Sequence, residues 1–207
     1  MTKVPDRIAW QRGRRSAVIA LVDEVAPEDK GGIYYVVTAA VLLAEEADAR
    51  GVLSELLPAD RKRPFHWHTE GRTTREAMMG CIDRLGIVAH VCVHYPTGPR
   101  RQESARAAAF EELLPVLIDD GVDHLIIESR ARAQDGRDKQ AILEVLRRTE
   151  TPSAITYEWR GKAEPLLWIA DAIAGSVRDH LLGDTDLWLD SLRTMNAVGE
   201  LRYQTAR

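Results

Sequence analysis

Ser16-Ala-Val-Ile-Ala-Leu-Val-Asp-Glu24 is the stretch on which the fold turns. Its first seven residues are small or apolar at both odd and even positions, which in an extended chain means burial on both faces, and the run ends abruptly at two acids. A strand covered on both sides belongs inside a sheet with helices above and below it. The turn-rich Pro27-Glu-Asp-Lys-Gly-Gly32 follows, and then Ile33-Tyr-Tyr-Val-Val-Thr-Ala-Ala-Val-Leu-Leu43, rich in β-branched and aromatic residues. So short a connection predicts an antiparallel hairpin.

Further along, residues 45–57 carry a helical pattern that Pro58 and Arg61-Lys62-Arg63-Pro64 interrupt. Thr73 with Glu76 three residues later is a capping-box signature, opening a helix that places Met78, Cys81, Ile82 and Leu85 on one side and stops at Gly86. Ile87-Val-Ala-His-Val-Cys-Val-His-Tyr95 alternates as a strand, with His90 and His94 read as sheet-surface residues and Cys92 as a buried, inert thiol. A helix over 103–119 meets Pro115, which must kink it or begin a second helix. Val122-Asp-His-Leu-Ile-Ile127 reads as a short buried strand ending in Glu128. Asp135 and Asp138 are placed to begin a helix through Arg148, Ala154-Ile-Thr-Tyr-Glu-Trp159 is a last strand, and Glu164-Pro165 launches a helix striped by Leu166, Ala170, Ile173, Val177 and Leu181. Strands alternating with helices define an α/β domain with a partly parallel sheet. Residues 1–207 read as one domain with its core over 16–182, and 183–207 as a C-terminal arm. Leu187, Trp188 and Leu192 of that arm pack back on the domain or on a second copy, the homodimer alternative.

Composition narrows the function classes. With 45% hydrophobic and 29% charged residues the chain is neither disordered nor collagen-like, and no apolar run approaches the roughly 20 residues that span a bilayer. No membrane partner is expected. Met1-Thr-Lys-Val-Pro-Asp6 lacks signal-peptide character and Cys81 and Cys92 are the only cysteines, so the expected location is the reducing cytoplasm. A net charge of -4 excludes a globally basic nucleic-acid binder. Yet the bases are 23 Arg against 5 Lys, many of them clustered, and planar guanidinium forks suit phosphates.

Three carboxylates stand where an apolar element ends or would not want charge: Asp23 after Val22, Glu128 after Ile127, and Asp171 within Leu166-Leu-Trp-Ile-Ala-Asp-Ala-Ile-Ala-Gly175. If the first and fourth strands are parallel neighbours, Asp23 and Glu128 meet at the carboxyl edge of the sheet, the usual place for a site in open α/β folds. A helix crossing that edge could supply Asp171, with Ala170, Ala174 and Gly175 allowing close approach. Converging carboxylates call for hard divalent cations, Mg²⁺ or Mn²⁺, and such a site can hydrolyse phosphodiesters. Strand alternation turns Glu24 away from Asp23, which leaves a salt bridge or loop contact open to it as much as catalysis.

Leu21-Val-Asp-Glu24, Tyr35-Val-Val-Thr-Ala-Ala-Val41, Pro64-Phe-His-Trp-His-Thr-Glu70, Ile126-Ile-Glu-Ser129 and above all Pro165-Leu-Leu-Trp-Ile-Ala-Asp-Ala-Ile-Ala-Gly175 resemble the bacterial ribonuclease-H-like family labelled domain of unknown function thirty-eight hundred. The resemblance covers residues 16–182 and implies a ribonuclease-H-like five-stranded mixed sheet flanked by helices, with a metal-dependent nuclease-like site. Asp23 and Asp171 match the family's acids. Val25-Ala26 stands where members carry Ser-Gly, Trp168 where Gln is common, and Glu128 where a shorter Asp is frequent.

His66, His68 and Glu70 share parity, so an extended segment would project all three to one side. In the resemblance a histidine of this segment lies near the carboxylates, and His66 is the better match. The leading expectation is therefore a nuclease acting on DNA or RNA, with Asp23, Glu128, Asp171, His66 and Glu70 as catalytic residues, the first three binding Mg²⁺ or Mn²⁺. Arg61, Arg63, Arg72, Arg130 and Lys162 would contact the nucleic-acid backbone. One alternative is an inactive nucleic-acid- or protein-binding module of a defence or mobile-element system. The other is a zinc hydrolase built on His66, His68 and Glu70, with Zn²⁺ in place of the harder ions.

Overall fold

The double-sided apolar run becomes the interior strand around which the sheet is ordered. A computed structural model describes residues 17–58, 61–149 and 155–205. Its strands are β1 (Ile19–Val25), β2 (Glu28–Asp29), β3 (Gly32–Leu42), β4 (Val88–Thr97), β5 (His124–Glu128), β6 (Thr156–Arg160) and β7 (Arg202–Gln204). They form one sheet in the order β6-β5-β1-β3-β4-β7, with the short β2 paired to β3. β1, β3 and β4 run antiparallel to one another in turn, whereas β5 is parallel to β1 and β6 parallel to β5. The expected five strands are thus present as the long ones, and β2 and β7 extend the sheet to seven. Ser16 and Ala154, expected to open two strands, lie outside the described residues.

Alternation along β1 sorts the core into two layers. Ile19 and Leu21, with Val36, Ala40 and Ile126, face α1 (Glu46–Ser54), α2 (Arg72–Leu85), α5 (Leu167–Leu181) and α6 (Leu187–Thr194). Ala20 and Val22, with Val37, Ala39 and Ile127, face α3 (Gln102–Asp119) and α4 (Arg132–Arg148). The C-terminal arm folds back on its own chain: Trp188 sets its ring edge-on to Trp67 at 5.4 Å, and β7 pairs parallel with the edge of β4.

Local signals are overruled in three places. α3 runs unbroken through Pro115, because Ala109, Phe110, Leu113, Leu114 and Leu117 are packed against the sheet and hold the helix despite the lost N–H. α2 begins at Arg72 after Gly71 with no side-chain cap, and Glu76 pairs instead with Arg72 at 2.8 Å. Its end at Gly86, with φ 65°, is the left-handed stop expected. β1 also continues past Val22 to Val25, so Asp23 and Glu24 are inside the strand and point to opposite faces.

Glu24 therefore enters the α3/α4 layer, where it meets the guanidinium of Arg106, which is only 1% exposed. Arg106 Nε also donates to both oxygens of Asp138 at 2.9 and 3.0 Å, and Arg130 joins Asp138 and Glu103, each at 2.8 Å. Removing one charge from such a buried set leaves the others uncompensated, at about 3–5 kcal/mol. Arg106→Met is expected to lose that much stability in urea denaturation. A loss below about 1 kcal/mol would mean that this network does not hold the two helices to β1.

Candidate active site

The parallel register Val22↔Ile127 brings the ends of β1 and β5 side by side. Asp23 and Glu128, one residue further on, share the parity of Leu21 and Ile126 and so turn toward the layer that contains α5. α5 packs across β1, β3 and β5 and brings Asp171 close enough for its charge to act on Asp23 and for that of Glu128 to act on it. The three acids read from the sequence converge, each supplied by a different element. Burial raises Asp23 well above the ordinary carboxylate range, and the nearby charges of Glu128, Glu24 and Asp171 raise it further against the N–H of Glu24, which donates to its Oδ1 at 2.7 Å. Asp171 is raised by burial too, partly offset by hydrogen bonds from Trp67 and His66.

Those two hydrogen bonds come from a 3₁₀ turn, Trp67–Thr69, and the residue just before it, laid on α5. The backbone N–H of Trp67 donates to Asp171 Oδ2 at 2.7 Å, and His66 Nδ1 lies 3.1 Å from Asp171 Oδ1. The indole N–H of Trp67 donates to Asp179 Oδ2 at 3.0 Å. Asp171, Gly175 and Asp179 are four residues apart and form a line along the helix. Gly175 is the gap in that line: a Cβ there would come within 2.2 Å of Trp67 Cδ1 and 2.8 Å of its Cβ. The small residue expected to let α5 approach its neighbours admits the tryptophan.

Two further groups face the carboxylates. Lys162, in the loop after β6, places Nζ 3.2 Å from Glu128 Oε1 while its side chain stays 64% exposed. Its burial alone would lower the ammonium, but the attraction of Glu128, then Asp23 and Asp171, outweighs this and raises it. Thr38 is paired with Asp23 across β1 and β3, fully buried, and its hydroxyl has no hydrogen-bond partner among the described residues. Sequence reading missed Thr38, although its place in a strand of apolar neighbours, opposite the acid, was the available signal.

The histidine segment differs from expectation because it turns rather than extends. His66, His68 and Glu70 are not projected to one side: His68 is exposed within the turn, while Glu70 is held by both Nη groups of Arg61 and lies 3.4 Å from the backbone N–H of His66. Only His66 touches a carboxylate of the cluster. Of the expected phosphate contacts, Arg61 is committed to Glu70 and Arg130 to Glu103, Glu24 and Asp138, so neither guanidinium is available as read. Arg63 and Arg72 are exposed, Arg72 beside Glu76.

His90 and His94 are buried, not on the sheet surface. His90 Nε2 lies 2.6 Å from Asp120, and His94 sits with Cys92 and Glu112 in the one group of three His, Cys, Asp or Glu residues, among those described, whose ligand atoms all lie within 4.8 Å of one another. The shared parity of His90, Cys92 and His94 was the signal for this cluster. Asp23, Glu128 and Asp171 are more widely spaced than that limit. Their donor set is nevertheless all oxygen, which suits a hard divalent cation.

No protein-family model matches the chain, and no curated protein matches it in sequence. Among solved structures the chain is similar to one in the structure of the PCNA:RNase HII complex from Archaeoglobus fulgidus, at 16% identity over 81% of this chain and 75% of that one, with a TM-score of 0.51. The fold is ribonuclease-H-like. No helix is long and apolar enough to cross a membrane among the described residues.

Two outcomes follow from the geometry. Because Asp23 is raised in the folded state, its charge costs stability above its folded value, and the cost is absent at low pH where both states are protonated. Asp23→Asn in chelator-treated protein is expected to raise Tm at about pH 7, by ~2–4 °C per kcal/mol recovered, with the gain vanishing below about pH 4. Thermal unfolding across pH checks the sign. Gly175→Ala is expected to cost about 1–3 kcal/mol by displacing Trp67, and to shift the His66 imidazole resonances although neither ring nor carboxylate is altered.

Proposed function

We propose that the protein is a divalent-metal-dependent phosphodiesterase acting on nucleic acid, and a member of the ribonuclease-H-like family labelled domain of unknown function thirty-eight hundred. The observation that carries this reading is the convergence of Asp23, Glu128 and Asp171 at the carboxyl edge of β1 and β5, with Asp23 buried among like charges. Asp23, Glu128 and Asp171 would hold Mg²⁺ or Mn²⁺. When bound, such an ion activates water and offsets charge on phosphoryl oxygens. The ribonuclease-H-like fold, and a neighbour in a complex named for RNase HII, support a nucleic-acid substrate.

The chain's own residues divide the remaining work. With Nδ1 held by Asp171, His66 keeps Nε2 for a proton at the attacking water or the leaving oxygen, on a ring that is 45% exposed. Glu70 and Arg61 act indirectly, steadying the backbone of His66. Lys162 and the exposed Arg63 and Arg72 would supply the basic charge that an acidic chain needs for phosphate, with Lys162 exchanging Glu128 for the substrate's backbone. Lys162 also favours a second reading: a built-in ammonium drawn to all three carboxylates suits a module that binds nucleic acid without cleaving it.

Cleavage of labelled DNA and RNA with Mg²⁺ or Mn²⁺ separates the two. Asp23→Asn and Asp171→Asn are expected to lose at least ~100-fold in rate while folding normally, and Lys162→Ala to weaken binding and flatten its salt dependence. Equal inertness of wild type and both aspartate variants, with binding unchanged by EDTA, would replace the nuclease by the binding module.

A further inference from the structure

A second cluster lies on the opposite side of the sheet from the carboxylates. Cys92 and His94 alternate on β4 and share the face packed by α3, which supplies Glu112 from its middle. Cys92 is fully buried and His94 only 4% exposed. The sulfur lies 3.4 Å from His94 Nε2 and 3.2 Å from Glu112 Oε2. Beside them is a cavity of about 410 Å³, lined by His94 and Glu112 together with Arg101, Ser104 and, from the C-terminal arm, Gln204.

Hydrogen bonding alone serves this trio poorly. A thiol is a weak donor with one proton, and here it faces both a carboxylate and an imidazole nitrogen. A tetrahedral zinc ion with its usual bond lengths would set sulfur–nitrogen and sulfur–oxygen edges at roughly 3.5–3.6 Å, within a few tenths of an ångström of those present. Thiolate, imidazole and carboxylate are a zinc set with one position open, and the thiolate selects against Mg²⁺ and Mn²⁺.

We propose that Cys92, His94 and Glu112 form a binding site for one zinc-class divalent ion, separate from the carboxylate site, with its fourth position taken from the cavity. Binding releases the thiol proton to solvent as the sulfur–metal bond forms, with no change of oxidation state. Because Cys92 and His94 are paired in register with Arg202 and Gln204, the bound ion also braces β7, the last strand of the arm.

The test is zinc titration of chelator-stripped full-length protein, with elemental analysis, repeated with Co²⁺ to read the thiolate-to-cobalt charge-transfer absorption. One equivalent is expected, with that absorption present. Cys92→Ser should abolish the absorption, and both it and Glu112→Gln should weaken binding by at least ~10–100-fold. Cys81→Ser, and Asp23→Asn combined with Asp171→Asn, should leave it intact, which separates this site from the proposed nuclease centre. Glu112 is only half-buried, so Glu112→Gln carries the test if Cys92→Ser does not fold. Substoichiometric zinc, cobalt bound without the charge-transfer band, or loss of the ion in the Asp23/Asp171 variant in place of Cys92→Ser would overturn the proposal.

Discussion

The seating of Trp67 on α5 is the contact on which the arrangement of the site depends. It is possible only because residue 175 has no side chain, and it does four things at once. The backbone N–H of Trp67 fixes Asp171, the residue before it brings an imidazole to the same carboxylate, the indole anchors at Asp179, and the ring gives Trp188 of the C-terminal arm a surface to pack against. Arg75 covers the indole at 4.8 Å and donates to the carbonyl oxygen of Trp67, so the turn is clamped from α2 as well. A loop that would otherwise be free to move is thereby tied to the helix that carries a candidate metal ligand.

The second constraint is strand alternation at the end of β1. Asp23 and Glu24 are adjacent in sequence and separated by the thickness of the sheet in their surroundings. Asp23 turns into a layer where its neighbours are other carboxylates, so its proton is held tightly. Glu24 turns into a layer where Arg106 and Arg130 meet it. One face thus sets carboxylates against one another beside the ammonium of Lys162, and the other uses arginine to bind two helices to the sheet.

Much of this was legible in the chain. Small or apolar residues at every position of 16–22, against alternating patterns elsewhere, placed the interior strand, and the alternation of strands with helices led to the mixed sheet. The three acids were found because charge at the end of a buried strand or within an apolar helix is costly unless something uses it. What failed were inferences from local pattern alone. His66-x-His68-x-Glu70 has the parity of a ligand run only if extended, and the demand of Trp67 for its pocket on α5 turns the segment instead. Thr73 and Glu76 resemble a cap, yet the helix starts at Arg72 and Glu76 is drawn to that arginine. Pro115 should break a helix, but the packed face on either side holds it.

Sequence by itself determined the double-sided core, the order of elements and the identity of the costly carboxylates, because burial preference and periodicity are written residue by residue. Tertiary structure alone decided which charges meet. Arg130 follows a candidate acid closely and belongs to the other layer; Lys162 is distant in sequence from Asp23 and stands at its cluster; Cys92 and His94 gain Glu112 only when α3 packs on β4. Electrostatic partnership falls off with distance in space and is blind to distance along the chain, so no one-dimensional pattern could assign it.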